Sequence, residues 1–344
     1  MYNDINTVHA IFEVWRDNLP LKKIESYGNV TLSHSTDSEL KTTVKGSFFR
    51  YHGVNFISDK LHISIEINGV TYPLGIFCVT TETPKMSAGL ELVDIEAYSL
   101  LYILEQCKLE VRRTFTKGTS YLTVIQSLIA DAGFTNYAVD DSTLTLSTDR
   151  EDWEIGTSYL TIINDLLAEI NYNSLWVDHS GQIRATKYTA PDISNVTHTY
   201  VEGVNSLISD EYTITSDYFD KANVFIVLCD NPELDETMRA ESVNDDPNLP
   251  YSTVNLGRRV PTITYLNNTP SQEELQKYAD NLKAKSRQTN EIIEIVTAIN
   301  PTHESYETLL IQVGNAAGIY REIGYEITLT ASGQMKHTAE RVIV

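Results

Sequence analysis

The chain has 344 residues, enough for about two domains, and 42% of them are hydrophobic and 21% charged, which is typical of a globular protein. Twenty-six lysines and arginines stand against 47 aspartates and glutamates, a formal net charge of -21. Because such an acidic surface repels phosphate backbones and anionic lipids, specific nucleic-acid binding and attachment to anionic membranes are not expected.

The N-terminal part of the chain is predicted to form strands. Residues 61–67 alternate apolar and polar side chains, which indicates a strand with one buried face. Asn68-Gly69 then supplies the two positive φ angles of a tight hairpin turn, and Pro73 marks an edge or a bulge in the return strand 70–79. Further strands are predicted over 44–51, 55–58 and 90–97, followed by a short helix over 99–106.

The middle of the chain contains an internal repeat. Residues 118–134 (GTSYLTVIQSLIADAGF) recur as residues 156–172 (GTSYLTIINDLLAEINY), with 9 of 17 positions identical. Apolar residues at helical spacing predict one helix in each copy. Two copies are too few for a solenoid, so we interpret the repeat as a duplication inside an α+β region.

Local signals set the ends of the two repeated helices. Thr119 and Thr157 are the predicted N-caps, because a hydroxyl there accepts a free first-turn N–H. Gly133 and Asn171 are the predicted left-handed C-terminal residues. Strands are predicted after the helices, over 144–146, 174–177 and 182–185.

The last part of the chain returns to strand patterns. The acidic stretch 230–250 is predicted to be a long loop. Thr269-Pro-Ser-Gln272 has a cap, a proline in the first turn and a glutamine three residues after the cap, which predicts a helix over 270–285. Strands are predicted over 200–204, 211–216, 222–229, 260–266, 291–299, 309–313, 324–330 and 339–344.

These elements predict a β-rich α+β protein in three regions. The first is an N-terminal β-rich domain over 1–107. The second is an internally duplicated α+β region over 108–190, with repeats near 112–146 and 150–186. The third is a second β-rich domain over 191–344, which contains the acidic loop 230–250 and the helix 270–285.

The sequence predicts no catalytic residue, no cofactor and no metal site. The eight histidines are scattered and form no H-x-x-x-H or H-E-x-x-H motif, so a zinc site is not expected. The acidic loop lacks the spacing of a calcium-binding loop, and the glycines of 314–318 are interpreted as a turn. Glu151, Asp152 and Glu154 could supply the carboxylate pair of a glycosidase. Such a pair faces across a cleft, which neighbours in the sequence seldom do, so catalysis is not expected there.

Other chemical features of the chain have structural interpretations. The basic doublets Arg112-Arg113 and Arg258-Arg259 are predicted to pair with carboxylates. Three distant cysteines, Cys78, Cys107 and Cys229, favour buried, reduced thiols in a protein made in a reducing cytoplasm. No apolar stretch approaches the ~20 residues of a membrane span and no export signal is visible, so no membrane insertion is expected.

Three segments of the chain resemble the central baseplate hub proteins of phage tails and phage-tail-like bacteriocins. This family includes the late-control-gene-D type and the hubs of defective prophage particles. The resemblance lies in 72–79 with 89–101, in the two Gly-Thr-Ser-Tyr-Leu-Thr blocks with their helices, and in 324–344. It spans nearly the whole chain.

The resemblance implies a structural protein. Each subunit of a homotrimer would contribute two tube-like β-barrel or sandwich domains, and the resulting ring would join the tail tube to the central spike. The implied partners are copies of the chain itself, the tail tube protein, the central spike, the tape measure protein and the baseplate wedge proteins. The implied location is the bacterial cytoplasm during assembly and then the baseplate of the particle. Some relatives carry a fused peptidoglycan hydrolase; the chain ends just after its β-rich tail, so no enzymatic activity is expected.

Two other functions remain open from the sequence. A receptor- or cell-wall-carbohydrate-binding tail protein would use tyrosine and tryptophan faces to hold sugars, and 20 of the residues are tyrosines. A peptidoglycan hydrolase would use a pair among Glu151, Asp152 and Glu154, and ranks last. Saturable glycan binding would indicate the first, and cell-wall lysis abolished by amide substitutions would indicate the second.

Overall fold

The computed structural model describes residues 7–203, 207–216, 221–229, 237–266, 269, 271–286 and 291–342. Within these ranges the chain forms 19 strands and five α-helices. The β-rich α+β class predicted from the sequence is confirmed.

The elements are numbered in chain order. The strands are β1 Val8–Arg16, β2 Leu19–Ile24, β3 Ser26–Ser35, β4 Thr42–Phe49, β5 Lys60–Ile67, β6 Val70–Ser87, β7 Leu90–Ser99, β8 Tyr137–Val139, β9 Trp176–Val177, β10 Ile183–Ala185, β11 His198–Val201, β12 Ile208–Thr215, β13 Val224–Cys229, β14 Met238–Val243, β15 Pro261–Leu266, β16 Ile292–Ala298, β17 Thr308–Val313, β18 Ala316–Thr328 and β19 Gln334–Val342. The helices are α1 Leu101–Gln106, α2 Tyr121–Asp131, α3 Tyr159–Glu169, α4 Thr253–Leu256 and α5 Gln272–Ser286.

One 13-stranded sheet unites strands from both ends of the chain. Its main path runs β12-β16-β19-β18-β3-β4-β7-β6-β5-β1-β2, and β17 with β11 branches from β18. Antiparallel pairing of β18 with β3 joins the N-terminal strands to the C-terminal ones. The same junction is visible in the core, because Tyr325, Ile327 and Met335 pack into the apolar cluster of the N-terminal strands.

The junction between β18 and β3 depends on Gly324. A Cβ atom at this position would lie 2.6 Å from the carbonyl oxygen of His34 on β3, closer than real side chains approach backbone. One residue earlier, Ile323 is a bulge, since Glu322 pairs with Ala339 and Gly324 with Thr338. A bulge of this kind shifts the side-chain alternation of a strand, and here both Glu322 and Tyr325 are buried.

The duplicated region has its own core around α2 and α3, covered by the small sheet β8-β10-β9. The predicted C-terminal residues are confirmed, with φ of 89° at Gly133 and 60° at Asn171. The predicted N-caps are wrong by one residue, because Ser120 and Ser158 occupy those positions. The Ser158 hydroxyl accepts the Thr161 N–H.

A third sheet, β14-β13-β15, packs against α5. The predicted helix is confirmed as α5. The predicted long loop over 230–250 is wrong in part, because it contains β14, whose alternate residues Ala240 and Ser242 are buried, and residues 230–236 lie outside the described ranges. The many charged residues of this stretch masked the two-residue alternation of a strand, and this strand pairs with β13.

Two short predicted strands are absent from the structure. Residues 55–58 form a turn, in which Ser58 and Asp59 N–H groups donate to the Asn55 carbonyl. Residues 144–146 make a single isolated bridge through Thr145. The predicted hairpin turn is confirmed, with φ of 52° at Asn68 and 81° at Gly69, and the register shift beside Pro73 confirms a bulge.

Candidate functional site

The three carboxylates considered for hydrolysis do not form a catalytic pair. Asp152 accepts a hydrogen bond from the buried Arg150 guanidinium, while Glu151 and Glu154 are exposed. The neighbouring Trp153 is buried, and its indole N–H donates to Asp165 at 2.8 Å. This segment therefore anchors the second repeat.

The basic doublets and aromatic residues also have structural roles. Arg113 pairs with Asp131 at 2.6 Å and Arg259 pairs with Glu241 at 2.6 Å, as predicted for one member of each doublet. Trp153 and Trp176 are buried, and Trp15 is stacked on His62 with ring centres 4.1 Å apart. Two of the three tryptophans are therefore enclosed, and His62 covers one ring face of Trp15.

The burial that was predicted for the cysteines is complete at only one of the three. None of the cysteines forms a disulfide among the described residues; Cys229 is buried, and Cys78 and Cys107 are half-buried. None of the described helices has both the length and the apolar character that a membrane span requires.

Five of the eight histidines converge in space, although they are scattered along the sequence. His34 comes from β3, His198 from β11 and His337 from β19, while His303 lies in the loop between β16 and β17. His303 stacks on His198 with ring centres 4.0 Å apart and lies 4.8 Å from His337. The histidine–glutamate cluster, as we name it, consists of His34, His179, His198, His303, His337, Glu304, Glu307 and Glu322.

Glu322 is the centre of this cluster. Its Oε1 lies 2.6 Å from His337 Nδ1 and its Oε2 lies 2.7 Å from His303 Nδ1. The far nitrogens of both rings contact hydroxyls: His303 Nε2 lies 2.5 Å from the Tyr200 oxygen, and His337 Nε2 lies 2.9 Å from Thr297 Oγ1. All three ionisable side chains are at most 2% exposed.

Burial and pairing oppose each other in the pKa values of the cluster. Burial lowers the pKa of a histidine, but contacts with Glu307 and Glu322 outweigh it at His303 and raise that pKa to about 9. Burial likewise opposes ionisation of Glu322, yet His303 and His337 hold its pKa down at about 2. Where no partner outweighs burial, the pKa of His34 falls to about 3 and that of Glu304 rises to about 7.

The cluster also connects the large sheet to the duplicated region. His179 lies in the turn between β9 and β10, and its Nε2 is 3.2 Å from the Tyr325 hydroxyl. The Tyr325 ring stacks on His34 with centres 4.8 Å apart. Lys41 adds a second contact, since its ammonium donates to Ser174 Oγ at 2.9 Å.

Open strand edges are the second candidate functional feature. Among the described strands, β12 and β2 end the main path of the large sheet. β2 is guarded by Pro20, Lys22 and Lys23, residue types that discourage edge pairing. β2 also has exposed leucines at Leu19 (68%) and Leu21 (43%). At the β12 edge, Ile214 (39%) and the preceding Leu207 (59%) are exposed apolar side chains.

Comparisons with known proteins identify the architecture. No protein family and no curated protein sequence matches the chain. Solved structures do match. A tail protein from Neisseria meningitidis MC58 superposes with a TM-score of 0.71 at 12% identity, covering 97% of each chain.

Two further structures agree. The 43 kDa tail protein of prophage MuSo2 from Shewanella oneidensis gives a TM-score of 0.68 at 11% identity, covering 96% of this chain and 98% of that one. The E. coli c3393 protein, described as a type VI secretion component similar to the T4 tail proteins gp27 and gp5, gives 0.54 at 7% identity, covering 98% and 75%. The chain has the fold of phage tail proteins.

The shared fold includes nearly the whole chain, because the first two superpositions cover at least 96% of this chain and at least 97% of the matched chains. The resemblance stated from the sequence is thereby confirmed at the level of the fold. The cluster within the fold had only a weak sequence signal. His303 and Glu307 are four residues apart, but Glu322 and His337 become neighbours only through the β18–β19 hairpin and its bulge.

Proposed function

We propose that the chain is a structural subunit of a phage tail or phage-tail-like particle, and that three copies form a ring joining the tail tube to the central spike. The observation that carries this proposal is the whole-length fold match to tail proteins. The similarity to c3393 supports the hub position, because that protein is described as similar to gp27 and gp5.

The proposal assigns roles to the three regions that were predicted from the sequence. Regions 1–107 and 191–344 supply the two tube-like domains, and region 108–190 packs beside them. The tail tube, the spike, the tape measure and the baseplate wedges are the proposed partners. The subunit is made in the bacterial cytoplasm, acts without catalysis and ends in the baseplate of the particle.

The β12 edge is the proposed contact between subunits. An open strand with unpaired backbone groups and exposed apolar side chains is a template for pairing with another chain. A contact between two different surfaces of identical subunits closes into a ring when its rotation permits. The proline and lysines of the β2 edge disfavour strand pairing with another chain there.

The mass of the purified protein over a concentration series tests this proposal. We expect a trimer that dissociates on dilution, and we expect Ile214→Asp on β12 to weaken it by about tenfold or more, because a carboxylate is then buried in the contact. Val111→Asp is the matched control: Val111 is 71% exposed and lies outside the large sheet.

The alternatives give different results. A wild-type protein that stays monomeric at every concentration and binds cell-wall glycan saturably would contradict the hub proposal and favour a receptor-binding protein. Equal loss of trimer in Ile214→Asp and Val111→Asp would show that the β12 edge is not the contact.

A further inference from the structure

The centre of the histidine–glutamate cluster has the donor atoms of a transition-metal site. The Nδ1 atoms of His303 and His337 and the Glu322 carboxylate all lie within 4.8 Å of one another. Two imidazole nitrogens with a carboxylate are a ligand set that suits zinc and related ions rather than calcium or magnesium. Both Glu322 oxygens face the rings, so three side chains offer four donor atoms.

Hydrogen bonds outside this set fix the orientation of His337. Thr297 Oγ1 donates its only proton to the Ala298 carbonyl at 2.8 Å, so its oxygen accepts from the Nε2–H of His337. In a neutral His337, Nδ1 then has no proton, and its lone pair faces the Glu322 oxygen 2.6 Å away. Two acceptors this close require a cation between them, either a proton on Nδ1, which makes His337 an imidazolium, or a metal ion.

A divalent cation is compatible with the charges around the site. Glu322 and Glu307 are two carboxylates whose ionic contacts among the described residues are all with histidines. Glu307 Oε2 lies 3.1 Å from His303 Nδ1 and 3.2 Å from His198 Nε2, yet neither contact has hydrogen-bond geometry and the oxygen is buried. Without metal, protonated histidines balance these carboxylates; a divalent ion that displaces the protons would balance both.

The hydrogen-bond contacts of the outer ring nitrogens, Nε2 of His303 and of His337, resemble those of metal-binding histidines. Ligating histidines usually donate their other N–H to an acceptor that fixes the ring. Thr297 fills this position for His337, and Tyr200 contacts the corresponding nitrogen of His303. Tetrahedral zinc with bonds of about 2.0–2.2 Å separates its ligand atoms by about 3.3–3.6 Å, so binding requires each Glu322 oxygen to move about 0.6–1 Å away from the histidine nitrogen that it contacts.

We propose that His303, His337 and Glu322 bind one zinc-type divalent ion as a structural site. The ion would tie the loop 299–307 to β18 and β19 beside the junction of the large sheet. This proposal does not depend on the subunit's place in a tail.

Metal analysis of the purified full-length protein tests the proposal. After metal removal with a chelator and addition of Zn²⁺, we expect about one tightly bound equivalent per chain and a higher melting temperature. Co²⁺ in place of Zn²⁺ should give the visible absorption of a four-coordinate nitrogen–oxygen site. Glu322→Gln and His303→Gln should each weaken binding by about 100-fold or more.

His62→Gln is the matched control, because His62 is a half-buried histidine on β5 outside the cluster. It should bind Zn²⁺ and Co²⁺ as the wild type does. Wild-type protein that retains no Zn²⁺, shows no rise in melting temperature and gives only the Co²⁺ spectrum of the free ion would overturn the proposal. The measurements on the wild-type protein test the proposal even if a cluster variant fails to fold.

Discussion

At the scale of single residues, the two repeats contain arginine–carboxylate pairs that differ in burial. Arg150 pairs with Glu169 at 2.7 Å with both side chains buried, and Tyr121 donates to the same carboxylate. In the first repeat, the equivalent of Glu169 is Asp131, which pairs with Arg113 next to the equivalent of Arg150, and this pair is partly exposed. The two repeats therefore place one arginine–carboxylate pair in the core and another at the surface.

This difference predicts unequal effects of removing each arginine. Arg150→Met leaves the Glu169 charge buried without its main partner, and breaking a buried pair in this way costs about 3–5 kcal/mol. Arg113→Met removes a surface pair and should cost less than about 1 kcal/mol. Urea unfolding of both variants measures the difference, and equal losses would contradict the role assigned to Arg150.

A second residue-scale prediction concerns acid stability. Arg16 contacts both Asp59 oxygens, at 2.7 and 2.8 Å, and the Asn55 N–H donates to the same carboxylate. The hydrogen bond from Arg16 lowers the pKa of Asp59 below its ordinary value of 3.8. A depressed carboxyl pKa adds stability above the ordinary value, and that stability is lost as the pH falls through the folded-state value.

The free energy of unfolding of the wild type should therefore fall more steeply between about pH 5 and pH 2 than that of Asp59→Asn. Arg16→Gln should show the same shallower dependence, because it removes the cause of the shift. Parallel pH curves for the wild type and both variants would rule out this contribution.

At the scale of elements, the pairing of β18 with β3 requires a glycine at position 324. Gly324→Ala would place a methyl group 2.6 Å from the His34 carbonyl, and relieving such a clash costs typically about 1–3 kcal/mol. Gly318→Ala on the same strand is the matched control, since its nearest neighbour is the Arg341 side chain at 3.4 Å. Its effect should stay within about 0.5 kcal/mol. Thermal unfolding of the two variants tests this, and a Gly324→Ala protein as stable as the wild type would contradict it.

The elements that could be predicted from the sequence are those with local signals. The Asn68-Gly69 turn, the repeated helices and α5 follow from turn residues, periodicity and caps within a few positions. The β14 strand was missed because its charges masked a two-residue alternation. The join of β18 to β3 has no local signal, since it pairs residues nearly 300 positions apart in the sequence.

The same reasoning explains why the histidine–glutamate cluster was not predicted. Its members come from β3, β11, β18, β19 and two loops. Their convergence requires the order of the large sheet and the bulge at Ile323, and neither can be read from composition or spacing.

At the scale of the whole molecule, the continuous sheet makes the two β-rich regions one mechanical unit. Strands β1–β7 share the large sheet with β11, β12 and β16–β19, and β13, β14 and β15 form a separate sheet. The duplicated region is attached through Lys41 and through His179 with Tyr325. A subunit built in this way can transmit load through backbone hydrogen bonds from one end of the sheet to the other. Such rigidity is consistent with the connector role proposed above.

The central claim is that three copies of this sheet close into a ring. Electron microscopy of the largest species in solution tests it most directly. We predict class averages with three subunits around an open centre, and a reconstruction in which β12 of each subunit lies against its neighbour. Particles that are single subunits, or assemblies without threefold symmetry or a central opening, would contradict the account.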